Sequence, residues 1–330
     1  MNRLWTGIAL FLPWLLSARA EFPAAPLWLP AETAGFISVA HWANARLTFS
    51  NSLAGQTWYE PAMAAVRTNA ESCLRENLLS DLPPAVDFDS AKLVALIRGQ
   101  ATVAWYRPPG TPSSAAASSS KGPWIALLDA AESAPQMQAF LADLRTRLDK
   151  QRIPAATDRI GDREFVVITL PRPAIIPTNK PVSKADARTD PKNAPDRPAQ
   201  TNSEPSRLWY GLVGSALLVA SERHPIERSL PGLAGTNKAS LASRPSLQLA
   251  QAAHPADALV RAWLDYQAVS GDVSRRIAGV FSLLSSLGAK PNEVASAMGL
   301  DGLQSLSFSL GVSPKGSELR ADRKSTRLNS

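Results

Sequence analysis

The sequence predicts an α+β fold: antiparallel-rich sheets with helices packed on one face, in two related units, the second truncated. Three observations lead there. Short apolar runs meet at tight Gly-containing turns, the usual way antiparallel strands are joined. Longer stretches between them carry apolar residues at i, i+3, i+4 and i+7, the helical period. The order Pro-Ala-acid, strand, helices, strand, strand occurs twice along the chain. Helical crossovers beside hairpins disfavour a wholly parallel sheet.

A Pro-rich lead (Pro23, Pro26, Pro30) precedes a first strand, Gly35 to Ala40, and a short helical stretch from Trp42 to Leu53. A helix is predicted over Pro61 to Leu79, with Pro61 in its first turn and Pro83-Pro84 beyond its end. Asp89 caps a helix from Ser90 to Arg98, stopped at Gly99. Gln100 to Tyr106 and Pro123 to Asp129 read as paired strands around a mobile Pro/Ser/Ala/Gly loop, 107–122. Ser133 with Gln136 makes a capping-box pattern ahead of a helix that buries Met137, Phe140, Leu141, Leu144 and Leu148. A hairpin follows, Ala155 to Ile160 and Glu164 to Leu170, turning at Gly161-Asp162; its apolar run Phe165-Val166-Val167-Ile168 predicts a central strand. Residues 171–206 hold eight Pro, six Lys or Arg, four Asp or Glu and no aromatic residue, a composition that cannot offset its own ordering entropy, so this is expected to be a disordered insertion. Trp209 to Val213 and Ala216 to Ala220 form a second hairpin at Gly214-Ser215, followed by helices from Pro225 and over Pro245 to Ala252.

The repeat sets the domain organisation. Pro30-Ala31-Glu32 leads into Phe36-Ile37-Ser38-Val39, and Pro255-Ala256-Asp257 leads into Leu259 to Leu264. Each then reaches a Gly-then-Gln strand, Gly99 to Trp105 and Gly302 to Phe308, and a further strand, Trp124 to Leu128 and Ser317 to Arg320. Structural repeats often match this loosely. The expected domains are 21–253, a first α+β domain, and 254–321, the start of a second related unit. Leu29-Pro30-Ala31-Glu32-Thr33 and Ser52-Leu53-Ala54-Gly55-Gln56-Thr57-Trp58-Tyr59-Glu60-Pro61-Ala62-Met63 resemble the opening of a family of uncharacterised, exported bacterial proteins, a domain of unknown function. The resemblance covers most of 29–310 with loose motifs. It implies an exported α+β protein and carries no reaction.

The ends read differently from the body. Arg3, the apolar run Leu4 to Leu16 and Ala18-Arg19-Ala20 form a secretory signal pattern over residues 1–20, with the mature chain expected to begin near Glu21. The apolar run, 13 residues long and holding Pro13, is short for a membrane anchor, which takes about 20. Residues 322–330 can be written in codons as a short-read sequencing adapter and are expected to be an artefact; the alternative is a basic tail. Arg3 and Arg19 carry two of the seven net positive charges and 322–330 a net two more, which leaves +3 for residues 21–321. That balance argues against a nucleic-acid partner. Export, to the periplasm or beyond the cell, fits the signal, and no integral membrane segment is expected once it is removed.

No catalytic, cofactor-binding or metal-ligating set emerges. The single Cys73 shares a predicted helical face with Met63, Val66, Ala70, Leu74 and Leu78 and reads as a buried structural thiol. His41, His224 and His254 share no metal-ligand spacing. There is no Gly-x-Ser-x-Gly elbow, and Gly232 to Ser240 is Gly-rich but fails the phosphate-loop spacing. Asp129 and Asp265 end strands, where carboxylates serve acid/base chemistry or, more commonly, cap turns; Asp87 and Asp89 read alike. Trp28, Trp42, Trp58, Trp105, Trp124, Trp209 and Trp263 read as core or sheet surface, with a glycan- or peptide-binding platform as the alternative. The functional expectation is an exported non-catalytic protein, an envelope-associated binding or scaffold module acting on an envelope protein or glycan. The rival is an exported hydrolase with a loop-borne site.

Overall fold

The computed structural model describes residues 22–69, 89–107, 122–170, 206–236, 239–252, 254–255, 258–266, 268, 303–313 and 316–325. In chain order the elements are α1 (Ala25–Trp28), β1 (Thr33–Val39), α2 (Trp42–Asn51), α3 (Leu53–Tyr59), α4 (Ser90–Leu96), β2 (Ala101–Tyr106), β3 (Trp124–Asp129), α5 (Ala134–Lys150), β4 (Ala155–Ile160), β5 (Arg163–Leu170), β6 (Ser206–Val213) and β7 (Ala216–Ala220), then α6 (Arg223–Leu233), α7 (Pro245–Ala252), β8 (Val260–Asp265), β9 (Leu303–Ser313) and β10 (Gly316–Ser325). The ten strands make one sheet in the order β10-β9-β8-β1-β2-β3-β7-β6-β5-β4, with every neighbouring pair antiparallel. The fold is α+β, as the sequence predicts.

Both predicted hairpins form. Ile160 pairs with Arg163 and Val213 with Ala216, and Gly161 and Gly214 take φ +62° in the two-residue turns, a conformation open to glycine at little cost. Strand β5 is interior, one place in from the β4 edge. It pairs with β6 from Val166↔Tyr210 to Leu170↔Ser206, so the chain on either side of 171–205 meets in one ladder. Those residues lie outside the described part of the chain, as do 108–121 and Cys73. Of the helix expected over Pro61 to Leu79, a 3-10 turn spans Pro61–Met63 and 64–69 are helical; the remainder lies outside the described residues.

Helices lie on both faces of the sheet rather than one, because alternate residues of its middle strands are apolar on both sides. On β7, Ala216, Leu218 and Ala220 join a core with Trp28, Leu29, Ile226 and Leu247 beneath α1, α6 and α7. Leu217 between them joins a separate core with Leu93, Met137, Phe140, Leu144 and Leu148 beneath α4 and α5. The predicted stripe of α5 is thus buried as expected, with Leu141 at its margin. Its capping box does not form. A 3-10 turn (Ala131–Ser133) runs straight into the helix, and Ser133 has φ −87° and ψ 11°. That is not the extended backbone from which a cap hydroxyl reaches the first free amides. Asp89 does cap α4, accepting from the Lys92 amide at 2.8 Å. The helix stops at Leu96, short of Arg98, because the Arg98 and Gly99 amides both donate to the Asp129 carbonyl, each at 3.0 Å.

Strands β1 and β8 join the two parts of the sheet. Their ladder runs from Gly35↔Leu264 to Val39↔Val260, centred on Ile37↔Ala262. Outward from that centre, Ile37 pairs with Val103 and Val103 with Ala126, while Ala262 pairs with Phe308 and Phe308 with Ala321. Strand β10 extends through 322–325.

Candidate functional site

A period-two pattern on β9 organises the region around β8, β9 and β10. Ser305, Ser307 and Ser309 point to one face and Leu306, Phe308 and Leu310 to the other. The usual inside-out arrangement is inverted. The serines are buried, at 1%, 6% and 1% exposure, whereas Leu306 and Phe308 are 39% and 37% exposed.

The serine face meets His254, just past α7. Its Nε2 lies 2.8 Å from Ser307 Oγ and its Nδ1 lies 2.7 Å from Ser309 Oγ. A neutral imidazole has one donor and one acceptor nitrogen, and the two hydroxyls satisfy both. Burial pushes the His254 imidazole below its ordinary value, with Asp322 opposing and Arg261 and Arg320 acting in the same direction as burial. The neutral ring is therefore the folded form. Its contribution to stability is present above the ordinary imidazole value near 6.5 and is lost as pH falls through the lowered folded value. Between pH 7.5 and 5.5 the urea midpoint is expected to drop, and to drop less in His254→Gln. An equal drop in both proteins would show that His254 does not supply it.

The candidate carboxylates are braces. Asp129 accepts from Ser215 Oγ (2.7 Å) and the Ala131 amide (2.9 Å), and its Oδ2 would lie 1.9 Å from a Cβ placed on Gly99. Asp265 pairs with Arg244 (2.8 Å) and accepts from the Ala268 amide (3.1 Å), while Arg244 lies 5.4 Å from the Trp263 ring centre. Both carry out the turn and pairing roles that the sequence holds open beside acid/base chemistry. Glu32, ahead of β1, pairs with Arg228 of α6 (2.5 Å), and the buried Tyr106 hydroxyl lies 2.8 Å from Ser229 Oγ. Burial raises the Tyr106 phenol, so it stays protonated and able to donate. Gly232 lies inside α6 against Trp28, and Gly235 takes φ +73° just after that helix, so the Gly-rich stretch is a helix end.

The other predicted positions scatter. His41 precedes α2 and His224 is in α6. Asp87 lies outside the described residues. Trp28, Trp209 and Trp263 are buried in the core under α1, α6 and α7. Trp105 and Trp124 pair across β2 and β3, with Trp124 packed on the α5 core. Among the described residues no group of three His, Cys, Asp or Glu side chains could hold a metal ion, and no helix is long and apolar enough to cross a membrane.

On the face opposite His254, among the described residues, the core beneath α4 and α5 spans the sheet from β3 towards β4, and α2 and α3 come close to β9 and β10. The other half forms an open apolar groove of about 650 Å³, lined by Ile37, Trp105, Ala262, Leu264, Leu306 and Phe308. Ser307 and Asp322 also border it, but they pair with each other, and Ser307 pairs on its other side with Trp263, which belongs to the core on the far face. The groove thus offers area and few groups for chemistry. Sequence reasoning missed both this groove and the His254 contacts. The Ser/apolar alternation from Ser305 to Leu310 carried the signal for each.

Comparison with protein-family models, with curated proteins and with solved structures found no match to this chain.

Proposed function

We propose that the chain is an exported, non-catalytic protein of the cell envelope, a binding or scaffold module for an envelope protein or glycan. The observation that carries this reading is the state of His254. Both its nitrogens are engaged by serine hydroxyls, of residues at most 6% exposed. A nucleophilic serine needs an accessible oxygen and an orienting group on the second ring nitrogen. Here that nitrogen faces another serine. The signal pattern of residues 1–20 supports export, and the loose family resemblance fits it.

The scaffold part of the proposal rests on duplication. Ile37 and Ala262, the centre of the β1–β8 ladder, stand 225 residues apart, as do Pro30 and Pro255. The same offset relates two turns: the Thr33 amide donates to Pro30 O (3.1 Å) and the Ala258 amide to Pro255 O (3.3 Å). Two related β-strand units would then meet about a local twofold axis at that pair.

The hydrolase alternative is tested by treating the full chain with a fluorophosphonate probe, alongside cross-linking capture from an envelope fraction. Capture of one envelope protein or glycan without a covalent adduct is the expected result. A stoichiometric adduct on Ser307 or Ser309, lost on substitution by Ala, would overturn the non-catalytic reading.

A further inference from the structure

The inverted β9 strand leads to an inference that stands apart from the functional reading. We propose that the open apolar half-face is the docking site of this chain's own residues 269–302, the connection between β8 and β9. Monomeric proteins rarely leave a large continuous apolar patch in water. Here Ile37 (46% exposed), Leu306 and Phe308 make one, while serines of the same strand are buried. The other half of this face shows how the fold covers such a surface. Helix α5 connects β3 to β4 and lays Met137, Phe140, Leu144 and Leu148 on β7, β6 and β5, the strands that lie between them.

The β8–β9 connection matches the open half in position, chemistry and length. It leaves after Asp265 and returns at Leu303, and Asp265 pairs with Ser305, so both its ends lie at one margin of the groove. Strands β8 and β9 themselves supply Ala262, Leu264, Leu306 and Phe308 to the lining. Within it, Val273, Ile277, Val280, Phe281, Leu284 and Leu287 fall at helical spacing, with Arg275, Ser282 and Ser286 at the opposite angle. From Val273 to Leu287 a helical rise would cover about 21 Å. The five strands β10, β9, β8, β1 and β2 span four inter-strand spacings, about 19 Å. The apolar stripe therefore fits the width of the strands that line the groove.

The test uses the full chain, the dye 1-anilinonaphthalene-8-sulfonate, which brightens on apolar surface, and sedimentation velocity. The wild type is expected to be monomeric and dim. Leu284→Asp is expected to raise dye fluorescence several-fold, Phe308→Ser added to it to abolish most of that rise, and Ser282→Asp to leave the wild-type signal unchanged. Near-UV circular dichroism checks that each variant is folded. If Leu284→Asp is unfolded, Leu284→Ala takes its place with a smaller rise expected. Three results would overturn the proposal: a bright monomeric wild type dimmed by Phe308→Ser, which means an open face; a wild-type dimer dissociated by Phe308→Ser, which means a second copy covers it; or a folded Leu284 variant as dim as the wild type.

Discussion

Trp28→Ala is expected to lower the unfolding free energy by about 3–5 kcal/mol, the range for removing a large aromatic side chain from a packed core. Trp28 is fully buried between the sheet and α6. Its backbone approaches α6 so closely that a Cβ on Gly232 would lie 2.2 Å from Trp28 O. Helix α1 has only four residues, too few to be stable by itself, so packing of this indole and of Leu29 holds it in place. A domain of ordinary stability has about 5–15 kcal/mol in total, so the loss is a large fraction of it. A urea titration at neutral pH reads the effect, and an unchanged midpoint would mean that α1 does not pack as described.

Phe140→Ala is expected to cost a similar amount, about 3–5 kcal/mol, through the other core. Phe140 is 1% exposed in the middle of the α5 stripe, with Met137 and Leu144 one turn to either side. The two cores are separated by the sheet, so the two effects should add to within about 0.5 kcal/mol in the double variant. A denaturant series on the wild type, both single variants and the double variant checks this. Strong coupling would contradict a sheet covered independently on its two faces.

The parts of the fold legible in sequence were those set by neighbouring residues. Gly161 and Gly214 mark turns because a two-residue hairpin needs positive φ. The α5 helix follows from a stripe of four buried positions in one segment. Strand order was not legible. Strand β7 enters between β3 and β6, and β1 pairs with a strand more than two hundred residues away, because such choices depend on which edges remain free once local hairpins have formed. The Ser133 cap failed for a related reason. Whether its hydroxyl can cap α5 is decided by the backbone of the preceding 3-10 turn, which the capping pattern does not encode. The site was legible only as a pattern without a partner. The serine alternation on β9 is plain, but nothing local pairs Ser307 and Ser309 with a histidine more than fifty residues earlier.

The β1–β8 junction positions the groove, the His254 contacts and the Arg244–Asp265 pair, which depend on these strands meeting in one register. A cross-link reads it most directly. In a Cys73→Ser background, Ile37→Cys with Ala262→Cys should form a disulfide on mild oxidation, since directly opposed residues bring their Cβ atoms to about 4.5–5.5 Å. Ile37→Cys with Leu264→Cys, two residues out of register on the same face, should not. Cross-linking of the second pair in place of the first, or of neither, would contradict the register on which this account rests.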